Sequence, residues 1–128
     1  MPKSQTSVPQ DLLPLTPPVF HILLALADEE RHGYGIMQDV AWQTNGALQL
    51  GPGTLYDNLK KLMDTGLVAD APKSASSRRK SAAAKEDDRR FYTLTKEGRA
   101  ALTSEVDRLQ SVITQARLRL QEARSGRA

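Results

Sequence analysis

The chain has 128 residues, no cysteine and a formal net charge of +3. That length suits one domain with a modest core and excludes a core plus a deep catalytic cleft. The lack of thiols excludes disulfides and thiolate metal sites and fits a reducing, cytoplasmic setting.

The charge is unevenly placed. Residues 1–72 hold four Lys/Arg against eight Asp/Glu, and residues 73–128 hold fourteen against seven. Such a gradient fits a phosphate-bearing partner reached from the later half, or a chance distribution of solvated charge. The two histidines, His21 and His32, lack paired-ligand spacing, so neither a metal nor another cofactor is expected. Residues 1–10 have no apolar core of a signal peptide. The longest apolar run, Val19 to Ala27, contains His21 and is too short to span a bilayer, so no membrane partner is expected.

Residues 1–15 are polar and proline-bearing and read as an N-terminal tail. Thr16-Pro17-Pro18 reads as a helix start, with Thr16 as cap. The first helix is expected to run to about Asp28, almost without a polar face, buried by its own domain or by a partner subunit. Asp28 to His32 reads as a charged connection. A second helix is expected from about Gly33 to Thr44, closed by Asn45-Gly46, which tolerate positive φ. A third follows Gly51-Pro52-Gly53, with Leu55, Leu59, Leu62 and Met63 on one face and Gly66 as its C-cap.

Leu67-Val68 begins a strand, and Arg90 to Leu94 reads as a second. The stretch between, about Pro72 to Asp88, is rich in Ser, Ala, Lys and Arg and cannot build a core, so it reads as a mobile hairpin tip. Thr95 caps a last helix. Leu102, Val106, Leu109, Ile113, Ala116, Leu120 and Ala123 are spaced 4, 3, 4, 3, 4, 3, an a/d heptad seam. At 1.5 Å per residue this helix is roughly 40 Å long, more than so small a domain can cover.

Three helices, two strands and a long helix form a mainly α fold with a small two-stranded wing. The order is that of a winged helix-turn-helix followed by a coiled-coil-like dimerisation helix. The expected division is a tail over 1–15, a DNA-binding domain over 16–95 with its wing at about 70–92, and a dimerisation helix over 96–124. The expected partners are double-stranded DNA and a second copy of the chain. The seam residues Leu102, Val106, Leu109, Ile113, Ala116 and Leu120 are the expected dimer interface.

In a helix-turn-helix the third helix meets the major groove. With Leu55 and Leu59 facing the core, Thr54, Tyr56, Asp57 and Lys60 are left for the groove, and Gly53 lets the backbone come close. Asp57 reads as an acceptor for cytosine N4 or as a solvated charge. Lys60 and Lys61 read as phosphate contacts. Tyr56 reads as a DNA contact or as packing between helix and wing, and Tyr34 divides the same way. In the wing, Arg78, Arg79 and Lys80 read as backbone contacts or as a solvated tip. Trp42, the single tryptophan, reads as packing or as part of a pocket for a small aromatic or drug-like effector. No Ser/His/Asp, Cys/His or paired-carboxylate arrangement can be placed, so an enzyme is not expected. The other reading is a winged-helix interaction adaptor that binds no specific DNA.

His32-Gly33-Tyr34-Gly35-Ile36, Pro52-Gly53-Thr54-Leu55-Tyr56 and Arg89-Arg90-Phe91-Tyr92-Thr93-Leu94-Thr95 resemble the PadR family of bacterial regulators. The resemblance covers roughly Leu15 to Leu120, and the single C-terminal helix resembles the short subgroup. It implies a homodimer that binds a pseudo-palindromic operator, usually as a repressor. The wing is longer and richer in serine and alanine than the family pattern, and Asp57 stands where a neutral or basic residue would favour phosphate.

Overall fold

The computed structural model describes residues 14–71 and 90–127, with side chains described as far as residue 122. The described elements are α1 (Pro17–Ala25), β1 (Arg31–His32), α2 (Gly33–Gln43), α3 (Pro52–Asp64), β2 (Val68–Ala71), β3 (Phe91–Leu94) and α4 (Lys96–Arg127).

Thr16 caps α1 as its sequence position implies: its Oγ1 accepts from the Val19 amide at 3.4 Å. Val19, Ile22, Leu23 and Ala25 are buried within the chain itself. The helix stops at Ala25, short of the expected Asp28. The Leu26 amide divides between the Ile22 carbonyl at 3.3 Å and the Leu23 carbonyl at 3.1 Å, and the Ala27 amide reaches back only three residues, to the Leu24 carbonyl at 3.1 Å, which tightens and ends the last turn. Arg31 then folds back, and its Nε donates to the Ala25 carbonyl at 2.6 Å. The same guanidinium lies 3.7 Å from Asp39 of α2, joining the two helices.

His32 is the N-cap of α2, with Nδ1 accepting from the Gly35 amide at 3.0 Å. α2 closes in a Schellman turn. The Gly46 amide donates to the Ala41 carbonyl at 2.8 Å, with Asn45 at φ 53° and Gly46 at φ 81°. α3 ends in the same motif, with Gly66 at φ 84° and the Leu67 amide on the Leu62 carbonyl at 2.9 Å.

The sheet has three antiparallel strands in the order β1-β3-β2, not the two strands expected. Arg31 pairs with Tyr92 and His32 with Phe91 on one side of β3. Val68 pairs with Leu94 and Asp70 with Tyr92 on the other. A strand of two residues shows no period-2 pattern, so the segment read as a plain connection forms the sheet's third member.

Thr95 joins sheet, α3 and α4. Its hydroxyl donates to the Gly66 carbonyl at 2.7 Å and accepts from the Gly98 amide at 2.9 Å. Gly98 lies so close to the Leu67 carbonyl that a Cβ there would collide with it. The core gathers Ile22 and Leu23 of α1, Ile36 and Val40 of α2, Leu55, Leu59 and Leu62 of α3, and Ala101 and Leu102 of α4.

The first turns of α4 cover the body, with Leu102 only 6% exposed. That side chain is part of the chain's own core. Glu105, also buried, accepts from the Leu15 amide at 3.2 Å and from Arg108 Nε and Nη2 at 2.9 and 2.8 Å. Beyond Leu109 the helix leaves the body, and Val112, Ile113, Leu118 and Leu120 are exposed.

Candidate nucleic-acid interface

α3 is amphipathic because its leucines recur at helical spacing. Leu55, Leu59 and Leu62 are buried, which turns Gly53, Thr54, Tyr56, Asp57, Lys60 and Lys61 outward. A side chain at Gly53 would meet nothing within 4 Å, so the backbone is open at that point. Lys60 lies 3.9 Å from Asp64, one turn further on, with both side chains well exposed. Two lysines and two aspartates on this face leave α3 itself without net charge.

Tyr56 is 48% exposed, and its ring rests on Gly33 at the start of α2. A side chain at position 33 would strike the phenol and displace the ring from this position. One side of the Tyr56 ring thus packs against α2, and the rest faces solvent. Tyr34, more than half exposed, lies beside it across a cleft.

That cleft has a volume of about 560 Å³ and is lined by His32, Gly33, Tyr34, Tyr56, Arg90 and Tyr92. A smaller neighbour of about 270 Å³ shares Tyr56, Arg90 and Tyr92 and continues along α3 past Lys60. Tyr92 is 5% exposed. Burial pushes its phenol above the ordinary tyrosine range, against the pull of the Arg90 charge and hydrogen bond. Arg90 in turn sits 3.3 Å from Asp70 on the facing strand. His32 stacks edge-on against Phe91 at 5.4 Å between ring centroids.

The sequence reading named Tyr34 and Tyr56 and counted Arg90 among the basic residues of the wing, but did not place Tyr92 or His32 in a site. Part of that was legible. Alternation along the strand expected at Arg90 to Leu94 puts Arg90 and Tyr92 on one face, two residues apart.

Arg78, Arg79 and Lys80 lie outside the described residues. Trp42 is 79% exposed on α2, so it is not packed in the core of its own chain. On α4, Val106 is 44% and Ile113 46% exposed, and Val112 and Leu120 border a shallow groove with Ala116. Among the described residues, no group of three or more His, Asp or Glu could hold a metal ion. No described helix is long and apolar enough to cross a membrane.

Residues 22–104 match the transcriptional regulator PadR-like family. The transcriptional regulator Rv3488 of Mycobacterium tuberculosis is 34% identical over 85 residues, spanning 66% of this chain and 68% of that one. A transcriptional regulator from Clostridium thermocellum superposes with a TM-score of 0.60 at 16% identity, covering 86% of this chain and 95% of that one. A PadR family transcription regulator from Clostridium difficile gives 0.60 at 20% identity, covering 82% and 99%. These solved structures share the winged-helix fold.

Proposed function

The chain belongs to the transcriptional regulator PadR-like family, and on that premise we propose that it is a homodimeric repressor reading a pseudo-palindromic operator in duplex DNA. The observation that carries this reading is α3: its leucine face is locked in the core, so Thr54, Tyr56, Asp57, Lys60 and Lys61 form an outward ridge. A helix presented this way fits the major groove. Because α3 is itself uncharged overall, the attraction to phosphates must come from elsewhere. Residues 73–89 supply it, with six Lys/Arg against three Asp/Glu. The division of the chain into a DNA-binding domain over 16–95, with a wing at about 70–92, and a dimerisation helix over 96–124 belongs to this same reading.

The dimer is supported by the far part of α4. Val106, Ile113, Ala116 and Leu120 continue the heptad seam in exposed positions, and Val112 widens it. A two-fold axis through this helix would set two α3 ridges against half-sites about one helical turn apart, or a multiple of that. A small aromatic effector at Trp42 would need walls from a second copy, since its own chain leaves the ring 79% exposed.

The test is a binding titration at one fixed salt concentration. The wild-type chain first selects an operator from a pool of random duplexes, then binds that operator and a scrambled version. Tyr56→Ala is expected to lose about 1–3 kcal/mol of specific affinity with an unchanged circular dichroism spectrum. Equal wild-type affinity for operator and scrambled DNA would overturn the reading.

A further inference from the structure

Glu105 is the one buried charged side chain among the described residues, 3% exposed, and nothing in base reading uses it. It is also the last buried residue of α4 before the helix leaves the body. Its carboxylate accepts from the Leu15 amide at 3.2 Å and from Arg108 at 2.9 and 2.8 Å. Leu15 is itself buried and directly precedes Thr16, the cap of α1. A second polar attachment lies nearer the start of α4. There Arg99 Nη2 donates to the Ala27 carbonyl at 2.9 Å, just past the end of α1. α4 is thus tied to α1 at both ends, once at its entry and once at its exit. One tie leaves a pivot; two set a direction. Ala101 and Leu102, between the ties, add apolar contact. That contact holds the helix down without fixing its angle, because the hydrophobic effect is non-directional. A buried ion pair often adds little net stability, and its best-attested use is to single out one geometry.

We propose that Glu105 is a positioning residue: by tying Leu15 to α4 it fixes the angle at which the helix leaves the body, and so the half-site separation that a dimer accepts. The inference rests on the homodimer reading above. The helix beyond Glu105 acts as a lever. From Glu105 to Leu120 it is about 22 Å long at 1.5 Å per residue, so a change of about 10° at the root moves the far seam by about 4 Å relative to the body. Each base pair added between two half-sites separates them by about 3.4 Å and turns them by about 35°. Slack of that size at Glu105 therefore blurs the accepted spacing by about one base pair, and the tie to Leu15 removes it.

The experiment measures spacing preference, which a change in stability alone does not move. The selected operator is remade with a base pair added to or removed from its centre, and affinity is titrated at one fixed salt concentration. The wild type is expected to lose about tenfold in affinity for each such change, and Glu105→Leu less than about threefold, because a slack linkage lets both half-sites be engaged. Leucine keeps the site filled, and circular dichroism checks the fold. Glu105→Asp draws the carboxylate back from the Leu15 amide and should flatten the profile as well, which keeps the test decisive if Glu105→Leu unfolds. Glu105→Gln keeps an acceptor for that amide and should keep the wild-type profile even at lower stability. If it flattens as far as Glu105→Leu, the tie to Leu15 does not set the angle, and the proposal falls. The chain has no cysteine, so a spin label on Ala47→Cys, an exposed position outside α3, reports the separation of the two bodies directly. Its distance distribution should be narrow in the wild type and broad in Glu105→Leu. A wild-type spacing profile in whichever of Glu105→Leu and Glu105→Asp folds, or a wild type indifferent to spacing, overturns the inference and spares the DNA reading. A wild-type chain that is monomeric in light scattering, or that binds operator and scrambled DNA alike, overturns both.

Discussion

α1 and the far half of α4 use the same kinds of apolar side chain to opposite ends. In α1, Val19, Ile22 and Leu23 are 4%, 0% and 0% exposed. In α4, Val112, Ile113 and Leu120 are 45%, 46% and 68% exposed. The residues do not differ in hydrophobicity; the mass of chain around them does. α1 has nine residues and is surrounded by α2, α3 and the first turns of α4. α4 has 32 residues, about 48 Å of helix, and outruns the body after its first turns. An apolar stripe on an unsupported helix gains nothing from its own chain, so the same chemistry stabilises the fold in one place and is left exposed in the other.

The contrast is tested first where the expected effect is largest. Leu109→Glu with Ile113→Glu should convert the proposed dimer wholly to monomer, read by light scattering, while the helical spectrum of the body persists. A double variant that keeps the wild-type mass would show that α4 is not the interface. The complementary change lies in α1. Leu23→Ala removes a fully buried side chain and should cost about 2–5 kcal/mol in a denaturant titration. A loss below about 1 kcal/mol would mean that the body collapses around the gap or is loosely packed.

The smallest expected effect concerns Glu105, at the boundary between the two regimes. Hydrogen bonds from Arg108 hold its carboxyl below the ordinary glutamate range, against the opposing effect of burial. The folded chain therefore binds this proton less readily than the unfolded chain. The stabilisation is present above the ordinary glutamate pKa of about 4.3 and is lost as pH falls through the lower folded value. Glu105→Gln should cost about 1–3 kcal/mol near neutrality, because the Leu15 amide and Arg108 lose a charged acceptor. It should also flatten the acid limb of a melting-temperature profile. A variant whose acid limb matches the wild type would show that other carboxylates govern that limb.

What the amino-acid order determined by itself is local. Thr16 and Thr95 cap helices because a hydroxyl can reach an amide three residues on. Asn45, Gly46 and Gly66 end them because they accept positive φ. The leucine spacing of α3 says which side turns outward, and the heptad seam says that α4 has an apolar stripe. All of these depend on neighbours within a turn or two, and the motif resemblance led to the family that residues 22–104 match.

Tertiary structure decided the rest. Two residues at Arg31–His32 become a strand only because β3 lies beside them, and Arg31 ends α1 only because the chain folds back. Leu102 belongs to the core and Ile113 does not, although the seam gives them equal rank. Glu105 meets an amide 90 residues away. The cleft joins Gly33, Tyr56 and Arg90, which no local spacing connects. Side-chain periodicity tells which face of an element is apolar. Only packing among elements distant in sequence determines what that face meets.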